Sequence, residues 1–473
     1  MKTFRFFALL FLSLFTFLPG MAQKIWISGQ GKGYSNSEIR VFRISDPVTK
    51  SHIPVATMVC DTSGRFSFSY DSRPPETIVL RTGIYYLALY VDEAKDMKLL
   101  LPDFEARNEE DRQNSFFEET KMVPEVVSDT ENVNNYIRKF DLVYDPLFNR
   151  VADRIMYNTK KKDIPSLIEQ LNSFSATGTP FFKSYVRFRL MMLNQVASGE
   201  YQGRKEDSVL VNQYFHPENR AYSELIEQMF NKYFRSLSSG NLKSQFNSAF
   251  ISGSPVKMKE VIKKDGKAVN DQLEEYIILV NLFNEYFDSW LQHDKIIEML
   301  NLLRISGSSD YIRKLADSII IKLNALNDGS VPPGLTLKDE SGKMFSLDQL
   351  NGKYVILTFA TSDNAFSVAE YSILRGWYDK FKKDLAVVTV LRDRDFKTAV
   401  KRLQGMGFDW VMLDGSGADL EEYMYDVRIY PSFILLGRDG RIAIRQCPFP
   451  SENLEKVFGK RLQDEAIISA PKN

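Results

Sequence analysis

Sulfur and imidazole are scarce in this chain: its 473 residues include two cysteines, Cys60 and Cys447, and three histidines, His52, His216 and His293. None of these has a second ligand-type residue at finger or helical spacing, so no metal ion and no other cofactor is expected. Each histidine reads as a surface or capping residue. Net charge is also missing, with Lys+Arg and Asp+Glu at 61 each, so no global basic field exists to attract phosphate backbones and nucleic acid is not an expected partner. Neither G-x-S-x-G nor H-E-x-x-H occurs, and nothing marks a Ser-His-Asp triad. The glycines of SGQGKGY (28–34) have neither Rossmann nor Walker A spacing and read as a strand-end loop.

What is present begins with MKTFRFFALLFLSLFTFLPGMAQ, where Lys2 and Arg5 precede an apolar run from Phe6 to Leu18, and Gly20 and Ala22 are spaced for cleavage before Gln23. This is the pattern of a secretory signal peptide over residues 1–22. The alternative is an uncleaved anchor, but the run is nearer signal-peptide length than the ~20 residues of a spanning helix. No cysteine near the cleavage point could carry a lipid, and no later segment approaches spanning length without charges. The expected location is periplasmic or secreted, with no stable membrane anchor after cleavage. There Cys60 and Cys447 either bridge or remain separate thiols, and the second is the plainer reading.

Three regions follow. From 23 to 104, KIWISG, RVFRI, RFSFSY and YYLALYV alternate with period two between turn signals, which predicts an antiparallel β-sandwich. Residues 105–124, with NEEDRQN and few apolar positions, read as a linker. From 125 to 328 the period lengthens: Val133, Ile137, Phe140, Tyr144, Leu147, Val151 and Ile155 form one stripe, which Pro146 is expected to break or kink. A helix starts near Pro180, and later stripes run through Tyr222, Ile226 and Met229, through Leu273 to Phe287, and through Ile312, Leu315 and Ile319. These predict a bundle of about six helices whose aromatic stripes form core. After the Pro/Gly-rich NDGSVPPG, residues 329–473 alternate strands (YVILTF, LAVVTVL, WVML, SFILLG, RIAIR) with helices near 367–382, 395–405, 418–426 and 451–463, an α/β layer arrangement. Runs such as Lys160 to Lys162 and Lys382 to Lys383 read as solvated faces.

The segments PPGLTLKDESGKMFSLDQLNGKYVILTFATSD (332–363) and YPSFILLGRDGRI (430–442) resemble the TlpA-like and peroxiredoxin-like thioredoxin-fold family over about 135 residues. On that resemblance Phe359, Ala360 and Thr361 form the lead-in and Ser362 takes the usual tryptophan position. Asp363 takes the attacking cysteine, Asn364 and Ala365 the two intervening positions, and Phe366 the resolving cysteine. Pro431, between Tyr430 and Ser432, falls on the proline that the family holds in cis opposite the motif. Neither a carboxylate nor a phenyl ring can form a mixed disulfide or a sulfenic acid, so no catalytic residue is expected there. Asp363 is expected to cap the following helix, beside Asn364 and with Ser367 and Glu370 in capping-box spacing; general-acid chemistry by Asp363 is the sharper alternative. The expected function is binding or scaffolding of an unknown protein or peptide in the groove between Pro431 and the Asp363 helix start. The alternative is a thiol-disulfide oxidoreductase or peroxiredoxin-like enzyme using Cys447 or Cys60, and a weaker one is recognition of glycan or protein by the sandwich.

Overall fold

The computed structural model describes residues 22–108, 111, 117–156, 169–198, 215–267, 270–286, 288, 290–416, 424–425, 427 and 429–469. The expected signal peptide apart from Ala22, the Lys160–Lys162 run, part of the expected linker, Phe287, the side chain of Ile155 and most of the helix expected over 418–426 lie outside them. Among the described residues the chain forms two compact units. One is Met1–Ala106, Thr120–Tyr233 and Lys267–Asn270; the other is Arg107–Glu119, Phe234–Gly266 and Asp271–Asn473. The helical stretch expected as one domain over 125–328 is thus divided near its middle.

The first unit opens with β1 (Gln23–Gln30), β2 (Glu38–Ile44), β3 (His52–Val59), β4 (Arg65–Ser72), β5 (Glu76–Thr82), β6 (Tyr85–Val91), β7 (Met97–Leu100), β8 (Thr120–Met122) and β9 (Glu125–Val126). They form two sheets, ordered β4-β1-β7-β9 and β3-β2-β5-β6-β8. Period-two burial, as in β4, turns Phe66, Phe68 and Tyr70 inward, where they meet Ile25 and Ile27 of β1 and Leu80, Leu87 and Leu89 of the other sheet in one cluster. The purely antiparallel expectation is corrected, because β7 joins β1 and β8 joins β6 in parallel. Both pairings follow long excursions of the chain, which hairpin signals do not report. The expected linker also contains β8, while β9 lies beyond its end.

Among the described residues three α-helices follow in this unit up to Met229: α1 (Val133–Met156), α2 (Pro180–Ser198) and α3 (Arg220–Met229). The predicted stripe of α1 from Val133 to Val151 is buried. Pro146 neither breaks nor ends this helix. It lies on the outer face one turn from Leu142, which is 68% exposed, so the carbonyl freed by the missing N–H can meet water.

Six further helices follow among the described residues: α4 (Tyr233–Ser239), where the boundary between units falls, then α5 (Lys243–Ile251), α6 (Pro255–Asp265), α7 (Asp271–Tyr286), α8 (His293–Ser306) and α9 (Asp310–Asn324). That makes nine between 133 and 324 among the described residues, against about six expected. Local caps cut the apolar pattern into pieces: Ser254 accepts from Lys257 N ahead of Pro255, and Gly266 closes α6 at φ 77°.

The second unit ends in β10 (Thr336–Lys338), β11 (Met344–Ser346), β12 (Tyr354–Ala360), α10 (Ala365–Phe381), β13 (Leu385–Leu391), α11 (Phe396–Gly405), β14 (Val411–Asp414), β15 (Ser432–Leu436), β16 (Ile442–Ile444) and α12 (Leu454–Ser469). The main sheet is ordered β14-β13-β12-β15-β16, parallel across its first three strands and antiparallel across the rest. Every residue of β12 and of β13 is buried, which is why both read as unbroken apolar runs. A cluster around Tyr371, Trp377 and Phe458 fills one face, and one around Leu357, Phe359 and Ile434 fills the other. This is a thioredoxin-like layout. Among the described residues no helix is long and apolar enough to cross a membrane.

Candidate functional site

The site is built where β12 gives way to α10. β12 is central, with β13 parallel on one side and β15 antiparallel on the other, so the residues after Ala360, after Leu391 and before Ser432 converge at one end of the sheet. Thr361 and Ser362 are buried there, while Asp363, Ala365 and Phe366 face solvent.

The expected capping role of Asp363 is corrected. Asn364 is the N-cap of α10: its Oδ1 accepts from Phe366 N at 2.9 Å and Ser367 N at 3.1 Å, with extended backbone at φ −73° and ψ 110°. The capping box does not form either, because Glu370 accepts from Ser451 N (2.9 Å) and Ser451 Oγ (2.7 Å) instead. Those bonds tie α10 to the turn at Pro450–Glu452.

Tyr430, Pro431 and Ser432 lie beside the start of α10. The Tyr430–Pro431 peptide is cis, Pro431 is buried, and Asn364 Nδ2 approaches the Tyr430 carbonyl oxygen at 3.5 Å. Ser432 begins β15 opposite Phe359 and donates from Oγ to the Ile429 carbonyl at 2.5 Å. Around this junction lie two exposed apolar side chains, Phe366 (49%) and Ile429 (59%). The Phe366 ring meets Phe449 edge-on at 5.3 Å.

A polar pair beneath the junction went unnoticed in the sequence. Asp393 accepts from Ser362 N at 2.9 Å and from Ser362 Oγ at 2.5 Å, and Arg402 Nη1 reaches the same hydroxyl at 3.4 Å. Burial pushes the Asp393 carboxyl up; the two Ser362 bonds oppose this, and the charge of Asp363 adds to it. The available signal was register: Ala360 faces Leu391, so the residues two further along each strand are neighbours. Ser362 is only 2% exposed, which removes its hydroxyl as an accessible nucleophile.

Both cysteines are free, Cys60 in the first unit and Cys447 in the second. Cys447 packs against the Tyr371 cluster, and burial pushes its thiol up to about 12 despite the opposing pull of Arg461. Burial also raises Cys60, with repulsion from Asp61 adding to it. A thiol so raised is a poor nucleophile near neutral pH. No group of three or more His, Cys, Asp or Glu side chains among the described residues could hold a metal ion.

His52 is less superficial than expected, whereas His293 is exposed at the start of α8. The His52 ring is half-buried, edge-on to Phe42 at 5.6 Å and to Tyr86 at 6.1 Å. His293 opens α8 and stacks on Tyr286 at 4.5 Å, while His216 Nδ1 meets Glu218 Oε1 at 3.1 Å.

Residues 329–445 match the AhpC/TSA family. Among curated proteins, the chloroplastic peroxiredoxin Q of Suaeda salsa is 32% identical over 121 residues, covering 24% of this chain and 55% of the relative. The chloroplastic peroxiredoxin Q of Triticum aestivum is 39% identical over 72 residues, covering 15% of this chain and 33% of the relative. The chain therefore spans about half, or less, of these relatives. Among solved structures, the thioredoxin domain of a thiol-disulfide oxidoreductase from Bacteroides vulgatus is 24% identical, with TM-score 0.27, covering 28% of this chain and 98% of that one. A thiol:disulfide interchange protein from Bacteroides sp. is 26% identical, with TM-score 0.26, covering 28% and 90%.

Proposed function

We propose that this is an extracytoplasmic protein with a β-sandwich, a helical region and a thioredoxin-like domain, the last of which holds a protein or peptide segment without exchanging electrons. The observation that carries the reading is the content of the α10 start: an exposed carboxylate, a capping amide and a phenyl ring, where disulfide exchange or peroxide reduction demands a thiolate. The groove elements support binding, since the Tyr430–Pro431 junction lies against Asn364 and is flanked by the exposed Phe366 and Ile429. Exposed apolar anchors suit the side chains of an extended peptide. The sequence pattern of residues 1–22 supports export.

The redox alternative must use Cys60, whose thiol burial raises, or Cys447, whose thiol is raised to about 12. At about pH 8 the Cys447 thiol is ionised to the order of one part in 10⁴. The test is made on residues 23–473. Insulin-disulfide reduction and hydrogen peroxide consumption are expected to stay at the buffer rate, and native Cys447 to react with iodoacetamide about 10³-fold more slowly than a free thiol. On an array of extended peptides tiled from exported proteins, Phe366→Ala and Ile429→Ser are expected to weaken the captured set. Turnover that disappears in Cys447→Ser overturns the non-redox reading; capture unchanged in both groove variants overturns the groove.

A further inference from the structure

Away from the thioredoxin-like domain, the first unit holds a cavity of about 960 Å³ along one face of α2. This is near the upper end of the roughly 300–1,000 Å³ typical of small-molecule sites. Residues three and four apart on α2 line it, Ser184, Phe188 and Met191 among them, opposite Asp92 and Glu93 after β6 and the loop from His216 to Asn219. Phe188 is buried and held edge-on by Tyr222 at 5.0 Å, so the apolar floor is set before any ligand arrives.

The charges in the wall are unevenly satisfied. Each acid already has a partner: Asp92 is hydrogen-bonded by Thr179, Glu93 pairs with Lys95, and Glu218 meets His216 at 3.1 Å. Asn219 is also committed, accepting from Ala221 N and donating to Ser184 Oγ at 3.0 Å. Lys183 differs. It lines the cavity one turn before Arg187, and among the described residues nothing engages its ammonium group. A cation without a partner at the edge of an apolar floor, beside carboxylates already engaged by Thr179, Lys95 and His216, favours negative charge carried on an apolar body.

We propose that this cavity binds a small organic anion, a carboxylate attached to an aromatic or aliphatic group, with Lys183 holding the carboxylate and Phe188 and Met191 receiving the apolar part. Calorimetric titration of residues 23–473 with 4-phenylbutyrate, 4-phenylbutanol and 4-phenylbutylamine tests it. The carboxylate is expected to bind at least about ten-fold more tightly than the alcohol or the amine, the size of one charge-assisted bond. Lys183→Met, on an exposed helix position, is expected to remove that preference while leaving the thermal unfolding midpoint in place. Asn194→Trp, which fills the cavity without changing charge, is expected to weaken the carboxylate and the alcohol together. Equal affinity for the three probes, no binding of any of them, or a Lys183→Met variant that keeps the preference overturns the proposal.

Discussion

Asn364 and Asp363 are adjacent and chemically similar, yet only Asn364 turns its side chain back onto the first N–H groups of α10. Removing it by Asn364→Ala leaves two helix donors unserved and is expected to lower stability by about 1 kcal/mol. Asp363→Ala is expected to stay within about 0.5 kcal/mol. Urea denaturation of both variants checks this, and the reverse order would return the cap to Asp363. A second residue-scale effect comes from Asp141 in α1, which accepts from Tyr185 OH at 3.0 Å, with Arg189 Nε bonded to the same hydroxyl at 3.1 Å. Burial pushes the Asp141 carboxyl from 3.8 up to about 7, despite the attraction of Arg189. The folded state then holds the proton more tightly than the unfolded state. Stability from this group is therefore fully present below about pH 4 and lost as the pH rises through 7. Asp141→Asn is expected to flatten the fall in the urea midpoint across that window; an unchanged slope would assign it to other groups.

At the scale of elements, the first turn of α1 shows how a helix can finish two sheets. Asn134 accepts from Tyr90 N at 2.8 Å and donates to Tyr90 O at 2.8 Å, serving β6 beyond the reach of the short β8. Asn135 does the same for Val126 at the edge of β9, at 3.0 and 2.7 Å. Two consecutive asparagines thus replace strands that are not there, and both are buried. Asn134→Ala leaves a buried N–H and a buried C=O without partners, an expected cost of about 2–4 kcal/mol. Chemical denaturation together with amide exchange at Tyr90 measures it, and full protection of that amide in the variant would refute the role. The apolar stripe of α1 was legible from its spacing. The asparagines were not, since in sequence they are only polar residues near a helix start.

For the whole molecule, the arrangement into two units cuts across the helical stretch, because α1 to α3 group with the N-terminal sheets while the helices after Tyr233 group with the thioredoxin-like part. The proposed export signal would act on the whole chain, and intact-mass measurement after expression with the native N-terminus is expected to give a protein beginning at Gln23. An uncleaved mass would restore the anchor reading. The sequence by itself determined which atoms are available: no sulfur at Asp363 or Phe366, no Cys and His at zinc-finger spacing, a continuous apolar β12, and stripes of helical period. Composition and short-range spacing are readable without a fold. Only the tertiary structure decided that Ser362 meets Asp393, that Asn364 rather than Asp363 caps α10, that β7 joins β1 and β8 joins β6 in parallel, and that Lys183 lines a cavity. Each of these depends on strand order, on register or on where a helix is laid, which are set by contacts between residues far apart in the chain.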